Sequence, residues 1–350
     1  MPSNPLETYN YDSVGNRAAD SNQNGLSQFN SANDLNEDGD FTYQYDNNGN
    51  LTRKTAKVGG AITSYEYDAE NKLARVVRNG TTVNYKYDGL GRRVEKEVIN
   101  VGTAVTRYVY DNEDIILEFN HKGKMTARYT HGLGTDEPLA VEKRREIYYY
   151  HVDGLGSVTA LTDRRQRVVE SYDYDSFGNL KRHGHKVKQP YTFTGREWDK
   201  EIGLYYYRAR YYDASGGRFI SFDPILHPGN GRPIKAVCNQ SITYPDFEAL
   251  KDSPQTLNPF VYAKNNPTLL TDPSGLAACE GRWRTVDFQT VVRTNFCVCF
   301  WLCVPCDAPV IWGGNPFTLP ATGGVATGSL GTCVCPKPGP ETGCPCDKKQ

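Results

Sequence analysis

The chain has 350 residues and a formal net charge of −1 at pH 7, so no overall field favours nucleic acid or an anionic membrane. Tyr (24) and Gly (33) are abundant and Met (2) is scarce, which favours strands and turns. No apolar stretch of about 18 residues occurs, which excludes a transmembrane helix. The N-terminus MPSNPLETYNYDSVGNR has neither a basic start nor an apolar run. We therefore expect no signal peptide, and interpret the chain as either a fragment or a protein exported by a dedicated machine.

A tyrosine-rich motif then recurs along the N-terminal half of the chain. Each copy reads Tyr-x-Tyr-Asp, and its Asp residues are Asp12, Asp46, Asp68, Asp88, Asp111 and Asp175. From Asp46 to Asp111 the copies lie 20 to 23 residues apart, a period typical of repeat proteins. Tyr-x-Tyr places two rings on one face of a strand, and Asp starts a turn by bonding backbone groups. Each copy therefore predicts a β-hairpin, which buries its aromatic face only by stacking on others.

The role of these Tyr rings has two interpretations. In the first, which we favour, the rings form a purely structural ladder between stacked hairpins. In the second, Tyr side chains exposed on a curved sheet hold a glycan. We expect no nucleic-acid partner for the repeat region.

One stretch, NDLNEDGDF, resembles the start of a calcium loop through Asp34, Asn36, Asp38 and Gly39. Tyr45 stands where such a loop requires its acidic twelfth ligand. These residues are therefore weak metal candidates, with a solvated turn as the alternative. We expect no cofactor.

Longer and more specific blocks follow from residue 128 onward: RYTHGLGTDEPLA, YYYHVDGLGSVTALTD, SYDYDSFGN, PYTFTGREWDKEIGLYYYRARYYDASGGRFISFDP and NPFVYAKNNPTLLTDPSGL. With the repeats, they closely resemble the RHS/YD-repeat family and its RHS-associated core, over roughly residues 8–276. That family includes bacterial polymorphic toxins and the C subunits of insecticidal Tc toxins. The resemblance implies a mainly β fold, in which stacked YD-repeat hairpins form a curved or spiralling sheet, here a partial shell. It also implies a variable C-terminal domain carried inside.

The resemblance implies self-cleavage as well, because the family's core cuts its own chain after a Pro-x4-Asp-Pro-x-Gly-Leu motif. The motif residues in this chain are Pro267, Asp272, Pro273, Gly275 and Leu276. The predicted cut therefore lies between Leu276 and Ala277.

The family's aspartyl-type catalytic residues correspond here to Arg210, Asp223 and Asp272. Two close carboxylates cannot both ionise easily, so one can act as acid and the other as base. Arg210 would orient a carboxylate or steady the oxyanion. The alternative for these residues is a structural Arg–Asp clamp and an Asp-initiated turn.

Two departures from the family pattern are visible. Phe222 stands where the family has Pro before the first catalytic Asp, and an unusually long segment at 226–257 is interpreted as a surface insertion. We predict three regions: YD-repeat hairpins at 1–127, the RHS-associated core at 128–276, and a variable tail at 277–350.

The tail is rich in cysteine, with two groups of four: Cys297, Cys299, Cys303, Cys306, Cys333, Cys335, Cys344 and Cys346. Disulfides, which we favour for an exported chain, thiolate metal sites and unpaired thiols all remain open. The tail has no His, which excludes a Cys–His or Ser–His–Asp site within it. The sequence assigns it no activity.

Our leading hypothesis is an RHS shell segment that self-cleaves after Leu276, in bacterial toxin delivery or intercellular competition. Its expected partners are its own tail as cargo, an immunity protein and a component of a secretion machine. We expect it to be secreted or at the cell surface. The alternative is a non-catalytic surface scaffold that binds glycan or protein through its Tyr-rich hairpins.

Overall fold

The computed structural model describes residues 7–21, 25–183, 187–226 and 258–276, together with a few short strands beyond 278. The chain divides into two compact units, residues 1–280 and 281–350. The first unit therefore contains both the repeats and the predicted core. Of the predicted insertion, all but its first residue lies outside the described residues.

The first unit is built from antiparallel strands. A first hairpin pairs β1 (Tyr9–Tyr11) with β2 (Arg17–Asp20). Sixteen further strands form one sheet in which every strand pairs with its neighbours in sequence. These strands are β3 (Gln28–Phe29), β4 (Leu35–Glu37), β5 (Phe41–Tyr45), β6 (Leu51–Ala56), β7 (Ile62–Tyr67), β8 (Leu73–Arg78), β9 (Thr81–Tyr87), β10 (Arg93–Ile99), β11 (Thr103–Asp111), β12 (Asp114–Asn120), β13 (Met125–His131), β14 (Pro138–Lys143), β15 (Glu146–Val152), β16 (Val158–Asp163), β17 (Val168–Tyr174) and β18 (Leu180–His183). The predicted mainly β fold of stacked hairpins is confirmed.

A smaller sheet follows the large one in the chain. Its four strands are β19 (Glu197–Asp199), β20 (Leu204–Tyr207), β21 (Arg210–Asp213) and β22 (Arg218–Phe219). A last pair joins β23 (Leu270–Thr271) to β24 (Cys279–Glu280). Short 3₁₀ turns lie at Phe193–Gly195, Pro224–Leu226 and Ala263–Asn265.

The repeat turns form as the sequence predicts. In five of the six copies, one Asp oxygen accepts the backbone N–H groups two and four residues on, which closes the turn; these are Asp12, Asp46, Asp68, Asp88 and Asp175. Asp153, outside the motif, closes its turn in the same way. The following Gly49, Gly91 and Gly178 take positive φ values of 75°, 80° and 89°. The copy at Asp111 differs, because Asp111 pairs directly with Asp114 across a tighter turn in which Asn112 takes a φ of 51°.

The Tyr rings of the repeats form the core. The first Tyr of four copies is at most 9% exposed: Tyr65, Tyr85, Tyr108 and Tyr172. Near the N-terminal half of the sheet, the rings pack against Leu204, Tyr206 and Tyr211 of the smaller sheet. Burial of such large aromatic surfaces is a main source of stability. These four rings therefore serve as the structural ladder rather than as an exposed glycan platform.

One repeat turn has no room for a side chain. A Cβ at Gly178 would lie 2.4 Å from the Phe193 ring, whereas a Cβ at Gly80 would meet nothing within 4 Å. Both glycines have positive φ. We expect Gly80→Ala to cost about 1 kcal/mol for its backbone conformation, and Gly178→Ala to cost about 1–3 kcal/mol more for the overlap. Urea unfolding of both variants tests this, and equal losses would contradict it.

The first hairpin lies against the turn that joins β17 to β18. The Glu7 carboxylate accepts the Ser176 N–H at 2.9 Å and pairs with Lys181 at 2.6 Å. The Tyr9 ring meets the Phe177 ring edge to face, with centroids 4.8 Å apart. Side chains thus join residues 169 positions apart in the chain.

The second unit is described only as short strand pairs. β25 (Arg284–Thr285) pairs with β27 (Thr318–Leu319), and β26 (Ile311–Trp312) pairs with β28 (Thr327–Gly328). The eight tail cysteines with predicted pairing or metal roles lie outside the described residues. Where the chain is described, it contains no helix with the length and apolarity needed to cross a membrane.

Candidate active site

The turn between β20 and β21 is the frame of the candidate site. Every residue of these two strands is buried. Their aromatic side chains point to both faces, because side chains alternate along a strand. Tyr206 and Tyr211 pack on the large sheet, while Phe219 and Tyr262 belong to an aromatic cluster on the other side. The turn between the strands is thus held from both faces, and its Arg208 takes a φ of 55°.

The two residues of this turn and the first residue of β21 donate hydrogen bonds to three consecutive carbonyl groups of the predicted cleavage motif. The pairs are Arg208 Nη1 to the Pro273 oxygen, the Ala209 N–H to the Ser274 oxygen at 3.1 Å, and Arg210 Nε to the Gly275 oxygen. Leu276 follows directly after this held segment. The turn therefore holds residues 273–275, the gripped segment, just before the predicted cut.

Gly275 makes this close approach possible. Its φ is 71°, and a Cβ there would lie 2.4 Å from the Tyr207 carbonyl oxygen and 3.2 Å from the Arg210 nitrogen. Because both neighbours are backbone atoms, they cannot move aside as a flexible side chain would. The Gly of the motif is thus required by packing as well as by backbone conformation.

Arg210 brings the two predicted carboxylates together. Its Nη2 atom lies 2.8 Å from Asp223 Oδ2 and 3.7 Å from Asp272 Oδ2. The guanidinium is 2% exposed, lies 3.7 Å from the centre of the Phe219 ring, and donates from Nη1 to the Pro259 carbonyl at 2.7 Å. A charge this deeply buried needs such partners. The three residues predicted to be catalytic therefore share one enclosed site.

Asp272 lies against the residue that precedes the predicted cut. Its Oδ1 atom accepts the Leu276 N–H at 3.0 Å and the Ser274 hydroxyl at 3.2 Å, and the residue is 2% exposed. Ala277 lies outside the described residues. The carboxylate of the motif thus both closes a turn and stands beside the Leu276 backbone.

The two motif prolines occupy turns. Pro267 is buried, and the carbonyl group before it, that of Asn266, accepts the Leu269 and Leu270 N–H groups. Pro273 is the second residue of the four-residue turn that the Gly275 N–H closes onto the Asp272 carbonyl. Proline suits both places because its fixed φ preorganises a turn.

The pKa of Asp223 differs from that of an ordinary carboxyl group. The pKa of Asp223 is raised to about 6: burial raises it most and the nearby Asp272 adds to this, while Arg210 and the Ile225 N–H lower it. An ordinary Asp has a pKa of about 3.9. Near pH 6 a large fraction of molecules therefore carries a proton on Asp223, and a protonated carboxyl beside a second carboxyl can act as an acid–base pair.

Phe222, the departure from the family's Pro, has its own structural role. Its N–H donates to the Gly49 carbonyl at 3.1 Å, a bond that proline could not make. Its ring packs edge to face on Phe260, with centroids 6.2 Å apart. Asp223 still reaches Arg210, so the substitution does not move the carboxylate out of the site.

Sequence reasoning missed several contacts of this site. Arg208 stands two positions before Arg210, and this spacing was the one available signal for it. Asp136, which accepts Arg208 at 2.8 Å, lies in the block RYTHGLGTDEPLA, but no sequence rule links it to a residue 72 positions away. The Phe219 ring and the Pro259 carbonyl were also missed, since only the folded chain brings them to Arg210.

The weak metal candidates engage their own surroundings. Asp34 accepts the Asn30 side-chain amide at 2.9 Å, and Asn36 is exposed on β4. Asp38 accepts two backbone N–H groups of its turn and the Tyr43 hydroxyl. Within the part of the chain that the structure describes, no three His, Cys, Asp or Glu side chains are grouped to hold a metal.

Comparison with known protein families identifies the family of this chain. A family model described as Teneurin YD-shell matches residues 2–234. The chain belongs to this YD-shell family. The expected membership in the RHS/YD-repeat family is thus confirmed. The match includes Arg210 and Asp223 of the candidate site and ends before Asp272.

This YD-shell chain also resembles two curated nucleases and one curated toxin. It is 32% identical over 279 residues to the tRNA3(Ser)-specific nuclease WapA of Bacillus spizizenii, over 76% of this chain and 11% of that protein. It is 32% identical over 279 residues to the tRNA nuclease WapA of Bacillus subtilis, with the same coverage. It is 27% identical over 271 residues to toxin protein Tse5 of Pseudomonas aeruginosa, over 67% of this chain and 18% of that protein. The YD-shell chain thus spans less than a fifth of each of these relatives.

Among solved structures, TcdB2-TccC3-TEV aligns with 77% of this chain and 15% of its own, at 18% identity and a TM-score of 0.47. The Photorhabdus luminescens Tc holotoxin pore aligns with 77% of this chain and 16% of its own, at 16% identity and a TM-score of 0.43.

Proposed function

We propose that this YD-shell chain cleaves itself after Leu276 and so releases its C-terminal segment. The observation that supports this most is the position of Arg210, which contacts Asp223, Asp272 and the Gly275 carbonyl with one guanidinium. An acidic pair, with side chains 13% and 4% exposed, therefore stands next to residues 273–275. The Leu276 backbone is also within hydrogen-bonding reach of Asp272.

The reaction is hydrolysis of one peptide bond. Water adds to the Leu276 carbonyl carbon while one carboxylate takes a proton from that water. The protonated carboxyl of the pair gives its proton, which ends on the departing nitrogen of Ala277. The bond breaks, and the products are a carboxyl at Leu276 and an amine at Ala277. We assign the acid role to Asp223, because its raised pKa leaves it protonated over more of the pH range than an ordinary Asp.

Arg210 then has an electrostatic role. Its guanidinium stabilises negative charge on the pair and, through the Gly275 carbonyl, fixes the chain before the cut. Holding the reacting groups in place can supply much of the rate enhancement. Because the chain cuts itself once, a slow reaction is sufficient.

The biological setting of this proposal is toxin delivery. Relatives of this chain are named as nucleases and as a toxin, which supports a role for the segment 277–350 as cargo. On this proposal the chain is a shell segment of a secreted or surface-delivered protein. An immunity protein and a component of a secretion machine are its proposed partners.

We expect intact mass of the purified wild-type chain, under denaturing conditions, to give the pieces 1–276 and 277–350. Asp223→Asn and Asp272→Asn should remain whole, because an amide cannot exchange the proton. Asp163→Asn is the matched control: Asn keeps the oxygen that accepts the Arg165 and Arg167 N–H groups in the turn between β16 and β17, and this variant should be cleaved like wild type. A wild-type chain that stays whole, or a cleaved Asp272→Asn, would sink the proposal.

A further inference from the structure

Asp136 connects the large sheet to the segment that the turn grips. It lies in the loop between β13 and β14 and is 5% exposed. Its Oδ1 atom accepts Arg208 Nη2 at 2.8 Å, its Oδ2 atom accepts Arg208 Nη1 at 3.2 Å, and Arg196 Nη1 also donates to it. Arg208 in turn donates to the Pro273 carbonyl. A continuous path of hydrogen bonds thus runs from Asp136 to Pro273.

The loop that carries Asp136 is tightly built and closely docked. Asp136 takes a φ of 56°, and a Cβ at Gly195 would lie 2.5 Å from the Asp136 carbonyl oxygen. The Glu137 carboxylate accepts the Gly134 N–H at 2.8 Å and fills the space beside Gly132, where a Cβ would be 2.2 Å from it. The Asp136 carboxylate is therefore in place only when this loop is docked on the smaller sheet.

The charges explain why a carboxylate is needed there. Arg196 and Arg208 both reach Asp136, and their own further partners are Glu197 at 2.7 Å and Glu113 at 3.2 Å. Burial alone would raise the pKa of Asp136, but the two guanidinium groups hold it below its usual value. Asp136 is therefore ionised across the neutral range. Without that charge the two guanidinium groups would repel each other and release Arg208 from its position.

We propose that Asp136 is a positioning residue for self-cleavage: it fixes Arg208 on Pro273, so the cut proceeds only after the β13–β14 loop has docked. This inference rests on the proposed self-cleavage. It assigns a role to a residue in a loop of the large sheet, which acts on the site through Arg208. Folding of the sheet would in this way precede release of the C-terminal segment.

The rate of cleavage in newly made chains tests the inference. Cell-free synthesis with a pulse of labelled amino acid gives the loss of full-length chain over time. Displacement of the gripped segment by about 1 Å can slow a reaction on the order of 100-fold, so we expect Asp136→Asn and Arg208→Met to slow cleavage at least about tenfold. Arg208→Lys, which keeps the charge and one donor, should lie between them and wild type. Glu113→Gln removes a half-exposed partner of the same Arg208 and is expected to leave the rate unchanged.

A second measurement separates positioning from a merely structural role. Thermal unfolding of the same variants, in the uncleavable Asp272→Asn chain, should give Arg208→Lys a Tm close to that of its parent. Its cleavage in the active chain should be slower at every pH, with the midpoint near 6 set by Asp223 unchanged. If Asp136→Asn does not fold, the cleavage rate and Tm of Arg208→Lys are sufficient to test the positioning role.

The outcomes are distinguishable. Wild-type rates in both Asp136→Asn and Arg208→Lys, or rates that merely follow Tm, would overturn the positioning role while leaving self-cleavage standing. A wild-type chain that never cleaves would overturn both. Slowed cleavage at an unchanged pH midpoint supports the inference.

Discussion

Gly275→Ala is expected to leave the chain almost uncleaved while the first unit stays folded. The new Cβ would lie 2.4 Å from the Tyr207 carbonyl oxygen, a backbone atom fixed in β20, so the segment before Leu276 must move away. The bond from Arg210 to the Gly275 carbonyl is then lost. We expect a rate lower on the order of 100-fold, with a stability loss of about 1 kcal/mol for the backbone conformation and about 1–3 kcal/mol more for the overlap. Labelled cell-free synthesis measures the rate.

Gly123→Ala is the matched control. Gly123 has the same φ of 71°, but a Cβ there would meet nothing within 4 Å. Its variant therefore carries the backbone cost without the displacement, and it should be cleaved like wild type. Full-rate cleavage of Gly275→Ala would show that the grip of the turn on this segment is not needed.

Among the substitutions named here, Asp199→Asn is expected to lower the free energy of unfolding most. Asp199 is 1% exposed and accepts Arg93 at 2.5 Å, Lys96 at 2.8 Å and the Tyr85 hydroxyl at 2.8 Å. Arg93 is itself 1% exposed. Removing one partner leaves a buried charge uncompensated, which costs about 3–5 kcal/mol. Urea unfolding in the uncleavable Asp272→Asn chain measures this loss.

The pH dependence gives an independent check on Asp199. Burial alone would raise its pKa, but Arg93 and Lys96 hold the pKa below the usual value. A lowered pKa stabilises the fold above the unfolded pKa of about 3.9 and loses that effect as pH falls below it. The difference between parent and variant should therefore shrink in acid.

An exposed ion pair serves as the comparison for Asp199. Glu66 lies 3.3 Å from Arg75, and both side chains are about half exposed. Because solvent screens such a pair, Glu66→Gln should cost less than about 1 kcal/mol. Similar losses for Glu66→Gln and Asp199→Asn would contradict the importance of burial.

The local chemistry of the repeats was predictable from sequence, and the assembly of the site was not. Asp46 and Gly49 define their turn within four residues, so alternation and turn preferences suffice. The meeting of Asp223 with Arg210 followed only from a family resemblance, because no spacing rule links them. Neither a spacing rule nor the family resemblance predicted the bond between Asp136 and Arg208. It depends on how one loop of the large sheet docks on the small sheet, which local preferences do not encode.

The contact between the first hairpin and the β17–β18 turn requires a particular number of strands between them. Glu7 and Tyr9 reach Ser176 and Phe177 because a fixed number of strands lies between them. Neighbouring strands are about 4.8 Å apart, so losing one two-stranded hairpin would displace the meeting point by about 10 Å. The contact therefore fixes the number of hairpins between Glu7 and Phe177.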